Sequence, residues 1–166
     1  MKKLIFTLTI IAMGTVAYAQ STANDEISAS ATILAPVAVS AGADLAFGEV
    51  AQGTTATIAY NNASAGTFSV TGNASTSVEL ALTLPGTLTG GGDPLTITFT
   101  AGYDVAAEAD LSPTNNTAFT TSAATAQTVN LNASGQAFVS VGGSISPTVA
   151  HTGAYTGTIT LTATYN

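Results

Sequence analysis

The sequence has no cysteine and no tryptophan, one histidine, and only two basic residues, Lys2 and Lys3, for a formal net charge of −7. Without cysteine there is neither a disulfide nor a thiolate metal site. One histidine does not make up a structural zinc centre. A chain whose only lysines are its second and third residues has nothing with which to ion-pair phosphates, so nucleic acid is excluded as a partner. The Gly-rich run at residues 90–94, "GGGDP", is followed by no lysine and reads as a hairpin loop rather than a phosphate loop. A Ser or Thr nucleophile needs a base beside it, and the only candidate is His151, in the loop-like "TVAHTGAY". No nucleophile-elbow motif surrounds any serine. The chain is therefore expected not to be an enzyme, and to need no cofactor and no metal.

What is present begins with "MKKLIFTLTIIAMGTVAYAQ". Two lysines, an apolar run and the small-residue site Ala17-Tyr18-Ala19 follow one another in the order of a secretory signal peptide. Cleavage is expected between Ala19 and Gln20, giving a signal peptide over residues 1–19. The apolar run is shorter than the roughly 20 residues a bilayer-spanning helix requires. Removing this segment takes both lysines with it, so the mature chain can form no Lys or Arg salt bridge and no Lys–Asn cross-link. Membrane insertion of the mature chain is not expected.

Nearly all of the remainder alternates with period two. "SVELALTLP" places Val78, Leu80, Leu82 and Leu84 on one face, and "PLTITFTA" does the same with Leu95, Ile97 and Phe99. Phe68 with Val70, Val129 with Leu131, and Leu45 with Phe47 mark further strands. In "GQAFVSVGG" the inward set is either Phe138 and Ser140 or Val139 and Val141. Thr, Val, Ile and aromatics suit a pleated, half-buried surface. Turn-forming runs such as "NNASAG", "TGNAST" and "VGGSISP" separate the strands. Short alternating strands at this spacing predict a single immunoglobulin-like antiparallel β-sandwich over residues 27–166, behind a polar leader at 20–26.

Two stretches stand out. "ISASATILAPVAV" keeps apolar residues at odd positions, from Ile27, Ala29, Ala31 and Ile33 through Ala35 and Val37 to Val39. Pro36 interrupts its amide ladder, as at an edge strand or between two strands in line. At the other end, "GTITLTATYN" places Ile159, Leu161, Ala163 and Tyr165 opposite Thr158, Thr160, Thr162 and Thr164. The acidic group Asp104, Glu108 and Asp110 has oxygen ligands for a weak Ca²⁺ site, without the spacing of an EF-hand. A solvated acidic loop is the preferred reading, because a charge cluster without a partner is most often a wet surface. Tyr60 and Tyr103 are aromatics available to a carbohydrate-binding module if they lie in loops. Asn62, Asn73, Asn115 and Asn132 sit in Asn-x-Ser/Thr sequons, which are expected by chance in so Asn-, Ser- and Thr-rich a chain.

The segments "ATILAPVAVSAGADLAFGEVAQG", "VTGNASTSVELALTLP" and "GAYTGTITLTATYN" resemble a family of secreted bacterial proteins catalogued as domain of unknown function 4402. That family is similar in turn to the spore-coat-U-like subunits of archaic chaperone–usher pili. The resemblance spans about residues 29–166 and rests on Leu45, Phe47 and Gly48 and on the terminal Tyr-Thr-Gly-Thr strand. Pilins more widely share a penultimate Tyr and a Gly fourteenth from the C-terminus, which are Tyr165 and Gly153 here. The chain departs from many pilins in lacking the N-terminal disulfide; Pro36, Val37 and Ala38 stand in that region.

The resemblance implies a sandwich without its last strand, filled first by a periplasmic pilus chaperone at an outer-membrane usher, then by the arm of another copy. The implied donor residues are Ile27, Ala29, Ala31 and Ile33, in an arm over residues 27–39. The implied acceptor or chaperone-contact strand carries Gly153, Ile159, Leu161, Ala163 and Tyr165. Localisation would be the periplasm in transit, then the cell surface or the medium. The alternative is a complete monomeric sandwich, with residues 27–39 as its own first strand, that binds carbohydrate or calcium.

Overall fold

The computed structural model describes residues 22–106, 117–119 and 126–166. The chain divides into two units, Met1–Thr32 and Ile33–Asn166. In the first, the described residues 22–32 are exposed and belong to no strand. Ala19 and Gln20 lie outside the described residues, so the structure does not bear on the cleavage site. Among the described residues no helix is long and apolar enough to cross a membrane.

In the second unit every regular element among the described residues is a β-strand. These are β1 (Ala38–Ala41), β2 (Ala56–Ile58), β3 (Gly66–Thr71), β4 (Ser77–Thr83), β5 (Thr87–Gly90) and β6 (Leu95–Asp104). They continue as β7 (Thr117–Phe119), β8 (Gln127–Asn130), β9 (Gln136–Ile145), β10 (Tyr155–Thr156) and β11 (Thr160–Tyr165). The larger sheet runs β1-β3-β9-β6-β5-β10, with β2 also on β9 and β7 also on β6; the smaller runs β11-β4-β8. All the pairings are antiparallel.

The two sheets share one apolar core. Val70, Ala101, Ala137, Val139 and Val141 from the larger sheet cluster with Val78, Leu80, Leu82, Val129 and Leu161 of the smaller. The register explains the match: Leu80 lies opposite Ala163, Leu82 opposite Leu161 and Val78 opposite both Tyr165 and Val129. The inward residues of β4 thus line up with those of both neighbours, and Thr160, Thr162 and Thr164 face solvent. A second, smaller cluster of Leu95, Ile97 and Ile145 is covered by Phe47, Val50, Ala56, Leu88, Phe99 and Tyr155. Burial of this continuous apolar face is the main source of stability, because no Lys or Arg lies among the described residues to form an ion pair.

The undecided strand "GQAFVSVGG" is β9, the centre of the larger sheet. Val139 and Val141 face the shared core, yet Ser140 is also buried, with its hydroxyl donating to Gly102 O at 3.4 Å. A strand covered on both faces has no polar side to reveal its orientation.

Two expected strands form differently. Of residues 27–39, only Ala38 and Val39 enter a strand; residues 22–36 are exposed. Pro36 lacks an amide hydrogen and biases Ala35 away from the helical region, so the ladder on β3 begins just after it. "LAFGEV" forms no strand, and Gly48 adopts φ 69°, although Leu45 and Phe47 do turn inward and are half-buried.

Candidate functional site

The period-two run over residues 158–165 forms β11 from Thr160 on, but the Tyr-Thr-Gly-Thr stretch that leads into it does not continue in the same sheet. Tyr155 and Thr156 pair with Gly90 and Thr89 in the larger sheet, whereas Thr160 to Tyr165 pair with β4 in the smaller. Between them Gly157, Thr158 and Ile159 belong to neither ladder, so the chain crosses from one sheet to the other there. Beyond this crossing β11 is an edge, with β4 on one side and, among the described residues, no strand on the other. An edge strand presents a row of N–H and C=O groups to any strand that arrives.

Beside the crossing lies an open cavity of about 590 Å³. One bank is Ala41 at the end of β1 with residues 43–47 of the irregular stretch after it; the other is residues 155–159. Its floor is apolar: Phe68 of β3, Phe99 and Ile97 of β6, Val141 of β9 and Leu88 of β5. Leu45, Phe47, Tyr155 and Ile159 add to the apolar lining, while Asp44 and Thr67 stand at the rim. The arrangement follows from the unequal sheets. Three strands do not cover the inner face of the larger sheet, and the uncovered part is where this cavity opens.

The expected contact residues take different places, and only Ile159 is in the cavity lining. Ile159 lines the cavity, Leu161 is buried in the shared core, and Ala163 and Tyr165 are half-buried against it. Gly153 lies in the loop before β10 with φ 87°, a left-handed conformation that favours glycine for local reasons. The donor candidates Ile27, Ala29, Ala31 and Ile33 are all exposed, Ile27 at 98% and Ile33 at 92%. Two large aliphatic side chains at nearly full exposure within a few residues are uncommon on a folded surface.

The remaining candidates separate. His151 is half-buried in the loop between β9 and β10. Its Nδ1 accepts the Thr148 N–H at 2.8 Å and its ring packs edge-on to Tyr155 at 6.0 Å. The Thr148 hydroxyl also lies 2.8 Å from Nδ1 and Nε2 lies 3.4 Å from Pro94 O, so the ring fastens a loop; no carboxylate is hydrogen-bonded to it among the described residues. Tyr103 is not a loop aromatic: it lies within β6 and meets Phe119 edge-on at 6.4 Å. Tyr60, in the turn after β2, is half-buried. Glu108 and Asp110 lie outside the described residues. Asp104 ends β6 at 6% exposure; its Oδ1 accepts the Ala106 N–H at 2.8 Å, and its buried Oδ2 has no hydrogen-bond partner among the described residues.

The sequons Asn62 and Asn132 prove to be turn residues. Each accepts the N–H two residues on through Oδ1 at 2.9 Å, and each carbonyl accepts the N–H three residues on. Such side-chain turns are what Asn favours. The recurring Asn-Ala-Ser could have signalled this use from sequence.

The family model described as "Domain of unknown function (DUF4402)" matches residues 37–165. The chain belongs to the DUF4402 family. The matched span takes in every strand from β1 to β11 and leaves the donor candidates N-terminal to it. No curated protein and no solved structure matches this DUF4402 chain.

Proposed function

We propose that this DUF4402 chain is a non-enzymatic, secreted structural subunit that joins other copies of itself by strand complementation. The observation that carries the reading is the open apolar cavity beside the edge of β11, which has no second neighbouring strand among the described residues, at the point where the smaller sheet stops short. A strand added along that edge would gain backbone hydrogen bonds from β11 and place alternate side chains over Phe68 and Phe99. The exposed segment with Ile27, Ala29, Ala31 and Ile33 has the alternation and the unburied apolar surface of such a strand. In this reading the fold is an immunoglobulin-like β-sandwich one strand short. The partners are a periplasmic pilus chaperone, an outer-membrane usher and further copies of the chain. After loss of the segment before Gln20, the subunit travels through the periplasm to the cell surface. Head-to-tail complementation does not close on itself, so it yields a filament.

The double substitution Ile27→Asp with Ile33→Asp tests this. Both side chains are exposed, so the subunit's own melting temperature should not fall. If each isoleucine is buried at a junction, the pair contributes about 3–6 kcal/mol to it. Electron microscopy and sedimentation should show filaments or oligomers for the unsubstituted chain and monomers for the variant. An unchanged assembly state in the variant, or a stable monomer for both, would remove the reading.

One observation favours a second reading, a monomeric module that binds calcium. Buried carboxylate oxygens normally have a partner, and Asp104 Oδ2 has none among the described residues. Under this reading, titration calorimetry with Ca²⁺ gives heat that Asp104→Asn abolishes, together with a rise in melting temperature. No heat in the unsubstituted chain rejects it.

A further inference from the structure

A strand laid on β11 meets a problem of register. The donor segment repeats small residues, so a slip of two residues replaces Ala29 by Ala31 with little change in fit. Pairing of such strands is weakly specified unless something fixes it. The two ends of the β11 edge are not alike. At the Ile159 end, residues 157–159 lie in no ladder and border the cavity. At the other end stands Tyr165, and its hydroxyl is fully engaged. It donates to the Ala35 carbonyl oxygen at 2.7 Å and accepts the Asn73 N–H at 2.7 Å.

Both partners are themselves held. Asn73 Nδ2 reaches Thr76 Oγ1 at 2.9 Å. Ala35 precedes Pro36, which limits its backbone to extended conformations. Val37 and Val39 pack on the same core as Ala163 and Tyr165. The hydroxyl also needs the bare backbone of Gly72, where a Cβ would lie 2.6 Å from it. The ring thus ties the end of β11 to the turn between β3 and β4 and to Ala35, three residues before β1.

We infer that Tyr165 is a register stop: an incoming strand seats from the open Ile159 end of β11 and halts where the Tyr165–Ala35 bond closes the edge. The inference rests on the complementation reading above and adds which end is open and which residue sets the stop. It gives the Tyr165 hydroxyl a role within its own subunit, with no capacity left over for a partner's backbone.

The absence of cysteine makes the test direct. One population of the secreted full chain carries Thr32→Cys; the other carries a single cysteine at Thr158, Thr160, Thr162 or Thr164, whose side chains face solvent. The populations are assembled together and oxidised. With Tyr165 in place, one acceptor position should give at least about tenfold more intermolecular disulfide than its neighbours. With Tyr165→Phe, which keeps the ring, the yield should spread to positions two residues away. Gly72→Ala, which displaces the hydroxyl, should give the same spread. Amide exchange at Asn73 in the monomer should speed about tenfold in Tyr165→Phe. A single dominant position retained in both variants, or unchanged exchange at Asn73, overturns the stop while leaving complementation in place. The absence of intermolecular disulfide at every position in the Tyr165 chain overturns complementation, and the stop with it.

Discussion

Leu80→Ala should destabilise the domain by about 3–5 kcal/mol, the upper part of the range for a buried leucine. Leu80 is fully buried and sits on the central strand of the smaller sheet. It lies opposite Ala163 on one side and Gln127 on the other. The cost of such a truncation depends on how far the surroundings can collapse into the void. Here both neighbouring strands are fixed by their ladders to β4, and the facing sheet is pinned by Val70, Val139 and Val141, none more than 1% exposed. Nothing nearby is free to move in. No ion pair or disulfide among the described residues shares the load, so the loss should appear in full. Chemical denaturation of the monomer measures it, with a fall in melting temperature on the order of 10 °C. A loss below about 1 kcal/mol would show that the two sheets do not share a close-packed core.

Leu80 also shows what was legible beforehand. "SVELALTLP" alternates cleanly because β4 has one face in the core and one in water; its inward residues Val78, Leu80 and Leu82 are buried, and Leu84 just after it is half-buried. Strands with that environment, β3, β4, β6, β8 and β11, reveal themselves by period two. β9 does not, because both its faces are covered. β2, β5 and β10 have two to four residues each, too few for a period to register, and Thr87 to Gly90 looks from sequence like part of a turn.

The candidate site was legible only in its parts. Ile159 and the apolar alternation after it were visible, as was the arm at Ile27 and Ile33. The crossing at Gly157 to Ile159 was not, because a chain that changes sheets can keep its alternation unbroken while its hydrogen-bond partners change. Nor was the cavity, whose lining comes from β3, β5, β6, β9 and two irregular stretches far apart in sequence. Tyr165 drew notice as a penultimate residue. Its use, a bond to Ala35 across 130 positions, is a tertiary fact.

Gly142→Ala should cost about 3 kcal/mol or more, at or beyond the usual limit for overpacking. Gly142 lies in β9 and points away from the shared core. The chain leaving β2 passes directly over it. A Cβ there would collide with Ile58 O, and would come to 2.5 Å from Tyr60 N and 2.6 Å from Ala59 C. All three are backbone atoms, so no side-chain rotation relieves the contact. Either β9 bends or β2 lifts, and β2 is held by only three paired residues, Ala56 to Ile58. Lifting β2 uncovers the second cluster, since Ala56 packs on Leu95, Ile97 and Ile145. Ile97 also forms part of the cavity floor, so the same substitution should loosen the site from behind. Amide exchange should report this locally, with the β2–β9 ladder losing protection before the β4–β11 ladder does. Gly86→Ala is the matched control: it is exposed, its φ is not positive, and a Cβ there meets nothing within 4 Å. That change should be neutral or stabilise by about 0.4–1 kcal/mol through the unfolded chain. Equal effects at the two glycines would mean that the passage of residues 58–60 over β9 is wrong.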